Sequence, residues 1–184
     1  MCLKQESVLC KNGITNYRKI EEERFMMFRE IARKKQSIEK EQIIKILNSE
    51  KRGILSVCGE NGYPYGLPMN YWYNEENGCI YFHSGRSGHK VDAIAANNKV
   101  SFCVYDEGYK KDGEWALNIN SVIVFGKMHV VEDFDKVVEI YRLLSLKYTS
   151  DMEYINSEIH KFANATLCYE LCPEHITGKM VNES

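Results

Sequence analysis

Two Asn-Gly pairs constrain this chain most. Asn61-Gly62 and Asn77-Gly78 each stand between β-rich runs. Asn-Gly accepts the positive φ of a tight hairpin turn, so each pair joins two antiparallel neighbours. The first pair links a strand over residues 53–57 to a returning run over 65–73. The second links that run to a third strand over 79–83. Parallel strands need long crossovers, so a sheet that opens with two hairpins argues against a doubly wound parallel fold.

The rest of the chain completes the pattern. Ser37 is placed to cap a helix with Glu39 and Glu41 in its first turn, and Ile43, Ile44 and Leu47 give that helix an apolar face. A second helix is expected over 86–96, stopped by Asn97-Asn98. Residues 99–105 alternate as a strand, with Val100, Phe102 and Val104 on one side, and 118–131 form a long β-rich run. Glu132-Asp133 opens a helix with an apolar face of Phe134, Val137, Val138, Tyr141 and Leu144. Residues 152–162 are helical or irregular, and a last strand spans 165–171. The expected class is α+β: a closed or half-closed, mainly antiparallel β-barrel with helices on its rim. The domain is expected over 25–184, preceded by an arm over 1–24. Phe25, Met26, Phe28 and Ile31 form an apolar cluster that could dock on the body.

Composition narrows the functional classes. A net charge of -2 over 184 residues demands neither nucleic acid nor an anionic membrane. An anion site must therefore be local. No apolar run approaches the roughly 20 residues that span a bilayer, and no signal peptide is evident, so the expected location is the cytoplasm. The seven cysteines include no CxxC. They read as buried free thiols, Cys58 and Cys103 in strand-like runs, and no metal site is expected. Neither a GxGxxG nor a GxxxxGK[ST] loop occurs. No Ser-His-Asp order or nucleophile elbow is visible either.

The segment His83-Ser84-Gly85-Arg86-Ser87-Gly88-His89-Lys90 is the chief candidate site. Small residues lead from a strand into a helix, where backbone N–H groups converge and a ligand can come close. Arg86, His89 and Lys90 put positive charge at a helix N-terminus, against the dipole. A bound anion reverses that effect, so the turn can cradle a phosphate. A solvated basic turn capped by Ser84 or Ser87 fits the residues equally well. A second feature is Pro68, which removes a ladder donor and marks an edge or a bulge. Tyr71-Trp72-Tyr73 suits a core or a dimer contact, and Glu21-Glu22-Glu23 and Arg33-Lys34-Lys35 suit solvated faces.

Four pieces in order carry a resemblance. They are Gly53-Ile54-Leu55-Ser56-Val57 with Tyr63-Pro64-Tyr65-Gly66-Leu67-Pro68-Met69-Asn70-Tyr71; Ile80-Tyr81-Phe82-His83-Ser84 running into Gly88-His89-Lys90; Ser121-Val122-Ile123-Val124-Phe125-Gly126-Lys127; and Ile176-Thr177-Gly178-Lys179. The set resembles the pyridoxamine-phosphate-oxidase-like FMN-binding split-barrel family, nearest to its nitroimidazole-resistance (Nim-type) branch. The resemblance implies a six-stranded split barrel that forms a homodimer with one FMN in each of two interface clefts. It places His83 and Ser84 beside the flavin, Gly88 and Lys90 on its phosphate, and Pro68, Met69 and Asn70 along its ring. Ser121 would lie near the same pocket, and Trp115 would reach the flavin from the second subunit. The Arg-rich tail of the vitamin B6 oxidases is missing, which weighs against that activity.

A flavin carries its own redox chemistry, so no acid–base pair is required. His83 could donate a proton, or could be a strand-end histidine bonded to backbone. His129 and His160 read as structural. Three functions follow from the resemblance: an FMN-dependent oxidoreductase acting on small nitroaromatic compounds, a flavin-storage protein without turnover, or a split barrel that takes haem or a deazaflavin.

Overall fold

A computed structural model describes residues 28–182. The arm over 1–24, Cys2, Cys10, Phe25, Met26 and the Glu21–Glu23 run lie outside the described residues. Contacts divide the chain between Ala32 and Arg33, and the unit Arg33–Ser184 holds the sheet and its helices.

Seven strands form one sheet: β1 (Arg52–Cys58), β2 (Pro64–Asn70), β3 (Trp72–Tyr73), β4 (Ile80–Gly85), β5 (Lys99–Tyr105), β6 (Asn118–Val130) and β7 (Thr166–Asn182). Their order is β2-β1-β5-β6-β7-β4-β3, and every pairing is antiparallel. The sheet curls until β2, at one edge, meets β4, next to the other. This is the split-barrel arrangement. Among the described residues four α-helices flank it: α1 (Lys40–Ser49), α2 (His89–Ala96), α3 (Phe134–Leu146) and α4 (Met152–Phe162).

Alternation drives the core. Leu55, Val57, Phe102, Val104, Val122 and Val124 point inward from β1, β5 and β6 and are buried. Phe102 sits at the centre, edge-on to Tyr71 and to Phe82, each with centroids 5.0 Å apart. Gly53 lies beside this ring, where a Cβ would collide with Phe102. Truncating such a residue costs about 3–5 kcal/mol. On the other face of β4 and β7, Val137 and Ile140 of α3 pack on Tyr81 and Cys168. Helix α4 completes the layer, with Ile155 and Ile159 against Val138 and Tyr141 of α3.

The structure departs from the sequence reading at four places. The run expected over 65–73 breaks at Tyr71, whose ring turns into the core, so six strands become seven. The last strand runs to Asn182 rather than ending near Leu171. A bulge lets the strand pass Pro173: Phe125 pairs His175 and Gly126 pairs Pro173, which leaves Glu174 over. Glu39, not Ser37, holds the N-cap of α1, and no side chain caps it; Ser37 instead ends a 3-10 turn over Lys34–Gln36. Finally, Cys58 is exposed and Cys103 half-buried, because both point outward on their strands; among the described cysteines Cys168 is the buried one.

Other expectations hold. Pro68 lies on the edge strand β2, in register with Ile54 of β1. Asp133 caps α3 by accepting from the Asp135 and Lys136 N–H groups. His129 lies in β6 and His160 in α4. Arg33, Lys34 and Lys35 are exposed.

Candidate functional site

Strand β4 delivers the chain to the site. His83 pairs with Cys168 and Ser84 with Leu167 of β7. Neighbours on a strand face opposite ways. Ser84 is a buried hydroxyl, 8% exposed, and shares the inward face with Phe82. His83 faces α3, where its ring stacks on Tyr141 with centroids 5.4 Å apart and planes 20° apart.

The turn that follows ends at Gly88, the N-cap of α2. Its φ of 119° and ψ of 169° belong to a region that only glycine enters freely. No side chain caps the helix, so the serine-cap reading fails here. A Cβ on Gly88 would meet nothing within 4 Å. Glycine is therefore required by the backbone angle, and the space before the helix N-terminus is open. The unpaired N–H groups of a first helical turn favour an anion in such a space.

Lys90, in the first turn of α2, reaches the strand β2. Its Nζ lies 3.5 Å from Met69 Sδ, on the inward face of β2. Among the described residues no carboxylate forms an ion pair with it. Burial lowers its pKa. Burial also lowers the pKa of His83, and the nearby Lys90 charge pushes it the same way. A half-buried cation with no counter-ion, an open glycine turn, a helix N-terminus and a buried hydroxyl make a donor set that fits a phosphate. Such a set suits the phosphate of a flavin mononucleotide.

The remaining candidates are not gathered at that turn. Pro68 and Asn70 flank Met69 and face outward. Pro68 lines a separate cavity of about 590 Å³ with Arg52, Ile54, Tyr105 and Asp106. Asn70 Oδ1 accepts from Arg52 Nε at 3.0 Å. Ser121 pairs with Tyr105 and Lys179, so it belongs to the neighbourhood of this outer cavity. Eleven positions of β7 separate Lys179 from Cys168, the partner of His83. Trp115 stands in the β5–β6 loop, 74% exposed. The candidate residues thus fall in two places, with Met69 and Pro68 on opposite faces of β2.

Arg86 and His89 have partners of their own. Arg86 Nη1 donates to the Asn164 carbonyl at 3.2 Å. The His89 ring stacks on Tyr65 at 4.3 Å. Sequence reasoning missed Tyr65 and Tyr141 as ring partners. The period of the third helix did put Tyr141 on its apolar face, but nothing in the sequence pairs it with His83. Among the described residues no cluster of His, Cys, Asp or Glu could hold a metal ion, and no helix is long and apolar enough to cross a membrane.

Known proteins share this architecture. The family model described as pyridoxamine 5'-phosphate oxidase matches residues 39–180. No curated protein sequence matches the chain. A candidate 5-nitroimidazole antibiotic resistance protein from Bacteroides thetaiotaomicron is 20% identical, with a TM-score of 0.66, over 78% of this chain and 85% of that one. A FAD-binding protein from Mesorhizobium loti is 19% identical, with a TM-score of 0.57, over 79% and 97%. A FAD and haem binding protein from Mycobacterium smegmatis is 16% identical, with a TM-score of 0.63, over 81% and 74%. At these identities the solved structures support the fold alone. The family match covers most of the chain, from α1 through β7, and the chain belongs to the pyridoxamine 5'-phosphate oxidase family.

Proposed function

We propose that this chain binds FMN and acts as an oxidoreductase on small nitroaromatic compounds. The observation that carries the reading is Lys90, a half-buried cation without a carboxylate partner, held against Met69 at the mouth of a glycine turn. Lys90, Ser84 and the α2 N-terminus would hold the phosphate. The two places favour a homodimer, in which the outward face of β2, with Pro68, Asn70 and Ser121, completes a cleft opened by the other chain's phosphate turn. Trp115 is exposed enough to contact a flavin held there. The flavin, when bound, supplies the electron transfer. Burial and Lys90 both lower the pKa of His83; its ring lies against Tyr141 of α3, on the face of β4 opposite Ser84, so it would act on the phosphate site through charge. The nitroaromatic substrate class rests on the resemblance to Nim-type proteins. A cytoplasmic location is part of the same proposal.

The absorption spectrum of the purified protein tests the reading. A flavin spectrum, bleached by a reductant and restored by a nitroaromatic, supports it. A flavin spectrum with reoxidation by oxygen alone supports storage instead. A Soret band points to haem, which the Mycobacterium smegmatis protein binds as well as FAD. A colourless protein that takes up no added FMN overturns it.

A further inference from the structure

Cys79 and Cys172 face each other at the end of the β4–β7 ladder. The last ladder pair there is Ile80 with Leu171, and the two cysteines are the next residues outward on each strand. Their sulfurs are 3.9 Å apart. Both are free thiols and both are partly exposed. We propose that this pair is an oxidation site, in which a peroxide joins Cys79 to Cys172 as a disulfide.

The chemistry needs one two-electron oxidant. The thiolate of one cysteine attacks hydrogen peroxide, giving a sulfenic acid and releasing hydroxide. The second sulfur then attacks that sulfenic sulfur and displaces its oxygen as water. Two thiols and one peroxide become one disulfide and two waters. The sulfur separation must shorten to about 2 Å. Cys79 lies outside the regular strand, after the Asn77-Gly78 turn, so a small turn movement suffices. The surroundings set the pace. Burial comes first among the causes that push the Cys79 thiol up to about 12, followed by Cys172 itself and Glu170. The Cys79 thiolate is scarce at neutral pH, so attack by Cys79 is slow there and accelerates in alkali.

The bond would fasten the weakest edge of the sheet. Strand β3 is held by two residue pairs, Trp72 with Tyr81 and Tyr73 with Ile80. The turn between β3 and β4 leads directly into Cys79. A disulfide there ties that hairpin to β7 across a long loop of chain, which restricts the unfolded state. The neighbouring Tyr81, Glu170 and Lys136 already hold this corner by hydrogen bonds and an ion pair.

The test is peptide mapping of the full-length protein after hydrogen peroxide, with free thiols alkylated before non-reducing digestion. Trypsin leaves Cys58 with Cys79 in one peptide and Cys168 with Cys172 in another, so the pairing must be separated by variants. The expected result is a crosslink between these peptides, two hydrogens lighter, that survives in Cys58→Ser and Cys168→Ser and disappears in Cys79→Ser and in Cys172→Ser. The oxidised wild type should melt higher by on the order of 5 °C, and dithiothreitol should reverse the shift. A crosslink that persists in Cys79→Ser, or Cys79 and Cys172 both recovered alkylated from folded, peroxide-treated wild type, overturns the proposal. Neither readout depends on bound flavin, so failure here leaves the flavin reading standing.

Discussion

The Lys90 ammonium lies 3.5 Å from the Met69 sulfur, which ties the helix that follows β4 to the edge strand β2. The thioether is a weak acceptor and offers little in return for burying half a charged side chain. Such a cation is held for something other than stability.

Replacing it should therefore separate binding from folding. Lys90→Ala should weaken FMN binding by about 10–100-fold, the worth of a charge-assisted hydrogen bond. Its melting temperature without ligand should match or exceed wild type, because a desolvated charge is removed. Titration calorimetry and thermal melts read the two effects. Unchanged FMN affinity would place the phosphate elsewhere.

His83 reports on the same charge. Its pKa lies below 6.5, first through burial and then through Lys90. Phosphate bound at Lys90 cancels the second cause, so the His83 midpoint should rise when FMN is added and in Lys90→Met. The sign for folding follows. The unfolded chain takes up the proton near pH 6.5 and the folded chain only at lower pH. Stability from this group is full above 6.5 and falls as pH drops towards the folded pKa. Histidine-labelled NMR against pH measures the midpoint, and a midpoint that ignores FMN would separate His83 from the anion site.

Much of this was legible in the sequence, and the limits have physical causes. Asn61-Gly62 and Asn77-Gly78 gave the hairpins because a local turn fixes local pairing; both glycines have φ above 70°. The turn at Gly88 was legible for the same reason. What was not legible depends on residues far apart. Met69, Pro68 and Asn70 read as one strand along one ligand, yet alternation sends Met69 to Lys90, Pro68 to the outer cavity and Asn70 to Arg52. The stack of His83 on Tyr141 joins positions on two elements, and no period in either one encodes it.

Lys147 shows the same long-range logic. Its Nζ donates to the Glu50 carbonyl at 2.6 Å and lies 4.0 Å from the centre of the buried Tyr71 ring. Both contacts favour the charged form, but burial outweighs them and holds its pKa down to about 8, against the ordinary 10.5. Between those values the unfolded chain carries the proton and the folded chain does not. Stability should rise with pH across that window. Lys147→Met should lose that rise relative to wild type in urea unfolding at pH 8 and pH 10. Parallel pH curves for the two proteins would mean that Lys147 keeps its ordinary pKa.

Gly126 is where the long β6–β7 ribbon depends on a missing side chain. The register shifts between Phe125 and Gly126, and a Cβ at Gly126 would run into the Cys172 carbonyl and come within 2.9 Å of Leu171 Cδ1. The carbonyl is backbone in a paired strand and has no room to yield. A Cβ at Gly53 would strike the Phe102 ring, which can shift with some loss of core packing, and would come within 2.7 Å of the Cys103 carbonyl, a looser backbone clash than the one at Gly126. Gly126→Ala should thus cost more than the 1–3 kcal/mol or so typical of overpacking, and more than Gly53→Ala in the same urea titration. The m-value should also change if the bulge is lost and β7 detaches beyond it. Equal, small losses for both variants would mean that the bulge relaxes freely and that contact does not require glycine at Gly126.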